Sequence, residues 1–227
     1  MKERPIIFNA DMVRAVLDGR KTQTRRIMKN QPVPHETREG DFYFRCNKTR
    51  SMIYVSDFTP GNGPLPDAHE YFSMCCPFGA VGDRLWVREA FRVMGRATDV
   101  ARLMYKASER NSFTESTRTV PIDQCNKQSS YNWTPSIHMP RWASRITLEI
   151  TGVRVERLNS ISEADAKAEG LKASKPWSGL DGCIGSGGTP AAERFESLWQ
   201  SIYGEESWQA NPWVWVIEFK RVEATHD

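Results

Sequence analysis

The eight residues Gly19-Arg20-Lys21-Thr22-Gln23-Thr24-Arg25-Arg26 constrain this chain most. One lysine, three arginines and two threonines stand there without an apolar side chain. An ordinary apolar core does not take such a segment, so it belongs on a surface or in a pocket. Just before it, Asn9 fits an N-cap, Met12, Val13, Val16 and Leu17 recur at helical spacing, and Gly19 holds the stop position. A short helix therefore delivers the basic segment. Two chemistries suit it. One is a solvated turn whose cations complement the negative end of the helix dipole. The other is an anion-facing site, with arginines fixing a phosphate or carboxylate and a threonine hydroxyl that contacts or attacks the ligand. In a regular strand Lys21 and Thr24 would point to opposite faces, so a joint role for them requires a turn, bulge or twist between them.

The charge balance limits the partners. Thirty-one lysines and arginines against 28 acidic residues give +3 and a pI near 8.6, too mild for coating nucleic acid by charge alone. Any nucleic-acid contact is expected to be local. The 227 residues suffice for one domain with insertions and a substantial core. No apolar run is long enough to cross a bilayer, and Met1-Lys2-Glu3-Arg4-Pro5 leads directly into the strand-like Ile6-Ile7-Phe8. A cytoplasmic protein without a membrane partner is expected. The five cysteines, Cys46, Cys75, Cys76, Cys125 and Cys183, are odd in number and lack zinc-ribbon spacing, so reduced thiols are expected. Cys75-Cys76 with His69 could begin a metal site, but no second ligand pair follows at suitable spacing. No metal or cofactor is expected.

Residues 28–80 mix prolines, glycines and charges with brief strand-like patches, Phe42-Tyr43-Phe44 and Met52-Ile53-Tyr54-Val55, and a turn at Pro60-Gly61-Asn62-Gly63-Pro64. They read as an insertion. Arg84-Leu85-Trp86-Val87-Arg88-Glu89 then alternates as a strand. Arg84, Trp86 and Arg88 share one face, suited to base stacking and phosphate contact or to packing under an insertion. Glu89, on the face of Leu85 and Val87, is either a second acid of raised pKa or an arginine's partner. Residues 97–140, rich in serine, threonine and asparagine, read as a second, irregular insertion. It closes on Trp133, His138, Arg141 and Trp142 among prolines, the composition of a rigid ligand loop or of a hydrophobic plug. His138 reads as a structural hydrogen-bonding residue.

From Arg145 to Leu158 β-branched alternation predicts a long strand, or two joined by a bulge at Gly152. Ser162 and Asp165 form a capping-box start for a short helix that Gly170 ends, which leaves Glu169 opposing the helix dipole in its last turn. A glycine-rich connector from Ser178 to Gly188 precedes a helix that starts at Thr189-Pro190, carries Phe195, Leu198, Trp199 and Ile202 in one stripe, and stops at Gly204. Trp213, Trp215, Ile217 and Phe219 give the closing strand an aromatic face. The elements sum to an α+β protein built on a small β-barrel, with about three short helices and two long loop or hairpin insertions.

Gly19, Lys21 and Arg26 fit the glycine-x-lysine-x-x-glutamate-x-arginine signature of the ASCH superfamily, small PUA-like barrels related to an RNA-binding fold. Thr24 replaces the signature's glutamate, and there the chain resembles the acetylcytidine amidohydrolase branch. The resemblance covers about 5–27, 80–92, 145–171 and 190–221, including Val216-Ile217-Glu218-Phe219-Lys220. It implies Lys21 as base, Thr24 as nucleophile and Glu169 as proton donor in hydrolysis of an acylated nucleobase or nucleoside. Arg26 would pair with Glu169 or bind substrate. The alternative is a noncatalytic RNA- or DNA-binding module for single-stranded or structured nucleic acid. It would use Lys21, Arg26, Arg84, Arg88 and Arg141 for phosphates and Trp86, Trp133 or Trp142 for stacking. Met139-Pro140-Arg141-Trp142-Ala143-Ser144-Arg145-Ile146 also resembles ASCH-like proteins of bacteriophages and prophages.

Overall fold

The computed structural model describes residues 1–58, 75–172 and 189–222. The chain begins with β1 (Glu3–Ile7), α1 (Ala10–Leu17), β2 (Gln23–Ile27), β3 (Val33–Pro34), β4 (Phe42–Arg45) and β5 (Met52–Tyr54). There follow β6 (Arg84–Arg88), β7 (Phe91–Arg96), β8 (Val100–Tyr105), α2 (Phe113–Ser116) and β9 (Thr117–Pro121). The last elements are β10 (Thr147–Arg157), α3 (Glu163–Ala168), α4 (Ala191–Tyr203), α5 (Glu205–Gln209) and β11 (Trp213–Val222). The arrangement is α+β with several sheets, and among the described residues no closed barrel forms. No described helix is long and apolar enough to cross a membrane. The turn at 60–64, His69 and the glycine-rich connector lie outside the described residues.

Two compact units divide the described residues: Met1–Gly19, Asp83–Glu149 and 221–222 in the first, and 20–58, 75–82, 150–172 and 189–220 in the second.

In the first unit β1 runs parallel to β6, and β6 pairs antiparallel with Thr147–Glu149 at the start of β10. The alternation read from β6 is realised: Leu85 and Val87 are buried, while Arg84, Trp86 and Arg88 are half-exposed. Asn9 caps α1, its Oδ1 accepting from the Met12 amide at 2.9 Å, and Gly19 ends that segment at φ +71°.

The expectation of an irregular stretch at 97–140 is overturned. There β8 and β9 join β7 in a three-stranded antiparallel sheet. The reason is a period-two pattern beneath the polar composition: Ala101, Leu103 and Tyr105 point into a cluster with Phe91, Val93 and Val120, while Arg102 stays outside. Met139 and Ala143 are buried in that cluster, with Trp142 packed on it, so the tryptophan-rich segment covers a core. His138 is exposed.

In the second unit β10, β11 and β2 lie side by side. On β10 the buried positions change from even to odd across Gly152: Ile150 lies before it and Val155 after it. A Cβ at Gly152 would meet the Glu218 carboxylate at 2.7 Å, so only glycine leaves that side chain its place. The aromatic face of β11 packs on the small antiparallel sheet β3-β4-β5, with Phe42 against Trp213 and Phe44 edge-on to Trp215. Its other face, Val214 and Val216, joins Leu158, Ala166, Phe195 and Trp199 in a second core. The capping box of α3 forms, with Ser162 Oγ accepting from the Asp165 amide at 3.1 Å. Glu163 accepts from the first two amides of α4, Ala191 and Ala192, at 3.1 and 3.0 Å. That satisfies a helix start which Pro190 cannot cap by side chain.

Candidate functional site

Half of the basic segment is buried. Lys21, Gln23, Thr24 and Arg25 are each 3% exposed or less, so of the two placements their polarity suggests, a surface or a pocket, these four do not take the surface. Burial of such groups requires partners, and the end of β10, α3 and the residue after α3 supply them. Cross-strand neighbours in an antiparallel pair share a face. The β2–β11 register sets Gln23 beside Glu218 and Arg25 beside Val216, on the face covered by α3 and α4. Gln23 donates to the Asp165 carbonyl at 3.0 Å and to its carboxylate at 3.1 Å. Arg25 meets Glu156 at 3.1 Å, Asp165 at 3.3 Å and Glu169 at 3.6 Å. Arg154 extends the network to Glu156, Glu218 and Asp165.

The same register puts Thr24 beside Ile217 and Arg26 beside Trp215, on the aromatic face. Thr22 marks a break in the ladder. Its amide donates to the Ala168 carbonyl and its carbonyl accepts from the Phe219 amide, both at 2.8 Å, whereas a regular antiparallel pair exchanges both bonds with one residue. The ladder is therefore irregular at Thr22, but Lys21 and Arg25 meet the same carboxylate, Glu169, while Thr24 lies on the other face of β2.

Lys21 forms an isolated antiparallel bridge with Glu169. Its Nζ lies 2.6 Å from Glu169 Oε2 and donates to the Glu169 carbonyl at 3.1 Å. Gly170, at φ +97°, releases the chain after α3 and leaves Glu169 at the helix end. Burial pulls the Lys21 amine below the ordinary lysine value. Glu169 opposes that shift, and the charges of Arg26 and then Arg25 reinforce it. Arg25 Nε and Nη1 and Glu169 Oε1 are buried without a hydrogen-bond partner. Two of these, Arg25 Nη1 and Glu169 Oε1, face each other at 3.6 Å as an ion pair without a hydrogen bond.

The structure brings Lys21 and Glu169 together across 148 residues. The arginine beside Glu169 is Arg25, which the sequence reading passed over in favour of Arg26. Only a second buried carboxylate-rich element could have identified it, and the Asp165/Glu169 spacing of one helical turn is that signal.

The other candidates, Arg84, Trp86, Arg88, Trp133, Arg141 and Trp142, belong to the first unit. The Arg88 and Arg141 guanidinium carbons lie 5.5 and 6.0 Å from the Trp86 ring centre. Arg141 also pairs with Glu3 at 2.9 Å. Trp133 stacks under Arg92 at 4.8 Å, and Trp142 meets Phe91 edge-on. Glu89 is held by both ends of Arg145, at 2.8 and 3.0 Å. Burial raises its pKa against that cation. Within the first unit Glu89 is the structural partner of Arg145.

Among the described residues no three histidine, cysteine, aspartate or glutamate side chains are grouped to hold a metal ion. No family model, curated protein or solved structure matches the chain.

Proposed function

We propose that this protein is an amidohydrolase of the PUA-like ASCH type that cleaves the acyl-amide of an acetylcytidine-like nucleobase or nucleoside. The observation that carries the reading is the buried Lys21–Glu169 contact of 2.6 Å. Such a pair holds one mobile proton. Placed on Lys21 it makes an ion pair; placed on Glu169 it makes a neutral amine beside a carboxylic acid, the base and acid that amide cleavage needs. Burial draws the Lys21 pKa down, which lowers the cost of leaving the resting ion pair for the neutral arrangement.

In the neutral state Lys21 takes the Thr24 hydroxyl proton as Oγ attacks the acyl carbon, and Glu169 protonates the leaving amino nitrogen as the C–N bond breaks. The pair is then ionic. Water next attacks the acyl-threonine, Glu169 takes the water's proton, and Lys21 returns one to Thr24 Oγ, which releases the carboxylic acid and restores the neutral pair. Thr24 shares its strand face with Arg26, the cation that weighs most on the Lys21 amine. Because Lys21, Thr24 and Glu169 are all buried, substrate entry moves the side chains that cover them, and the closed site then excludes water from the first step.

The test is release of acetate from N4-acetylcytidine, followed chromatographically. Wild type is expected to turn over, Lys21→Ala and Glu169→Gln to lose turnover by about 100-fold or more, and Thr24→Ala to lose it entirely. An active Thr24→Ala enzyme removes the threonine from the scheme.

The flanking of Trp86 by Arg88 and Arg141 on a half-exposed strand face favours a second reading, a noncatalytic nucleic-acid-binding module. Salt-sensitive oligonucleotide binding that is lost in Trp86→Ala, together with no acetate release, selects it.

A further inference from the structure

Cys46 follows β4 and opens a tight turn. Its amide donates to the Ser51 carbonyl at 2.9 Å, its carbonyl accepts from the Arg50 amide at 3.0 Å, and Arg50 takes φ +61°. This turn folds the Lys48 and Thr49 amides and the Thr49 hydroxyl onto the Cys46 sulfur, where the Cys75 thiol also donates. Both cysteines line one pocket of about 170 Å³. Phe44, Pro77 and Trp215 form its apolar wall, and Lys48 also borders it. Cys46 is 3% exposed and Cys75 half-buried, so the pocket is the approach to the pair.

Three donors from the protein and a fourth from a second thiol, converging on one sulfur, favour its thiolate form against the cost of burial. Burial alone would raise the Cys46 pKa, but the hydrogen bonds from Thr49, Lys48 and Cys75 outweigh it and the net shift is downward. Cys75 is pushed up to about 12 by its own burial and by the neighbouring Cys46. The two sulfurs therefore have different roles, one ready to attack and the other kept protonated.

We propose that Cys46 and Cys75 form a dithiol oxidised by hydrogen peroxide, with Cys46 the attacking sulfur and Cys75 the resolving one. The Cys46 thiolate attacks one peroxide oxygen, an S–O bond forms and the O–O bond breaks. Hydroxide leaves, and Cys46 is a sulfenic acid. Cys46 then carries no charge to hold the Cys75 proton. Cys75 loses that proton to the hydroxide, which becomes water, and its sulfur attacks Cys46. The S–S bond forms, the S–O bond breaks and a second hydroxyl leaves, protonated from solvent, as water. Two thiols are oxidised and one peroxide is reduced. Trp215 walls the pocket and neighbours Arg26 in register, so the strand that carries Thr24 adjoins this chemistry.

The experiment is peptide mapping of the full chain under non-reducing conditions after treatment with hydrogen peroxide, with dimedone as the sulfenic-acid trap. The expected result is a Cys46–Cys75 link in wild type and in Cys76→Ser, reversed by dithiothreitol. Cys75→Ser is expected to replace the link with a dimedone adduct on Cys46. Cys46 should be consumed at least about tenfold faster than buried Cys125. A Cys75–Cys76 link in place of Cys46–Cys75, or a Cys46 that stays unlinked and unlabelled at peroxide doses that oxidise an added cysteine peptide, overturns the proposal.

Discussion

Glu169→Gln is the most informative single change to the buried network, because the structure fixes what each partner keeps. The Lys21 and Glu169 side chains are 0% and 4% exposed with their charged atoms 2.6 Å apart. Breaking such a pair from one side costs about 3–5 kcal/mol, a large part of a domain's about 5–15 kcal/mol. The two sides are not equivalent. Lys21→Met leaves Glu169 with Arg25 at 3.6 Å as a remaining counter-ion, which places its loss at the low end. Glu169→Gln removes the anion shared by Lys21 and Arg25 while Arg26 still repels the amine, so its loss lies at the high end. The double variant Lys21→Met/Glu169→Gln buries no unpaired ammonium and should recover about 1–3 kcal/mol relative to additivity. Urea unfolding of all four proteins, read by circular dichroism, gives the cycle. A Glu169→Gln loss below about 1 kcal/mol, or single losses that simply add, would refute a tightly coupled buried pair.

Arg145→Met should cost about 3–5 kcal/mol at neutral pH, because it strands the Glu89 carboxylate in the first unit's interior. Glu89 already has a folded pKa above its ordinary value of 4.5, so the folded state binds the extra proton and stability falls as pH rises through that window. The Arg145→Met loss, measured by thermal melts from neutral to acid, should therefore shrink towards pH 4.5. Asp165 has the opposite sign. Burial works against its ionisation, but Ser162, Arg25, Gln23 and Arg154 outweigh it and hold its pKa below 3.8. Its contribution is fully present above that value and is lost as pH falls through the folded pKa. Asp165→Asn should flatten the acid limb of the stability profile, and an unchanged acid limb would contradict the role given to Asp165.

Much of the second unit can be read from local rules. The capping box at Ser162, the stops at Gly170 and Gly204, and the alternation of β11 each follow from residue type at short spacing. The β7-β8-β9 sheet is less visible, because serine, threonine and asparagine around it hide the three apolar positions Ala101, Leu103 and Tyr105 that turn inward. The position of Arg25 could not be read. A charged residue in a basic run reads as exposed, and its burial depends on Glu156, Asp165 and Glu169, more than 130 residues away. The pairing of Lys21 with Glu169 is likewise nonlocal; the family likeness gives the two residues their roles as base and proton donor, and no spacing rule pairs them. The constraint that Lys21 and Thr24 need a break between them did come from strand geometry; the ladder is irregular at Thr22, with Thr24 on the strand face opposite Arg25.

The central claim is that Thr24 carries the acyl group between two proton transfers made by Lys21 and Glu169. Wild-type protein mixed with N4-acetylcytidine, quenched in acid within the first turnovers and mapped by mass spectrometry, should show acetyl on Thr24 and on no other hydroxyl. Cytidine released with Thr24 unmodified at every quench time, or at the wild-type rate from Thr24→Ala, would contradict it.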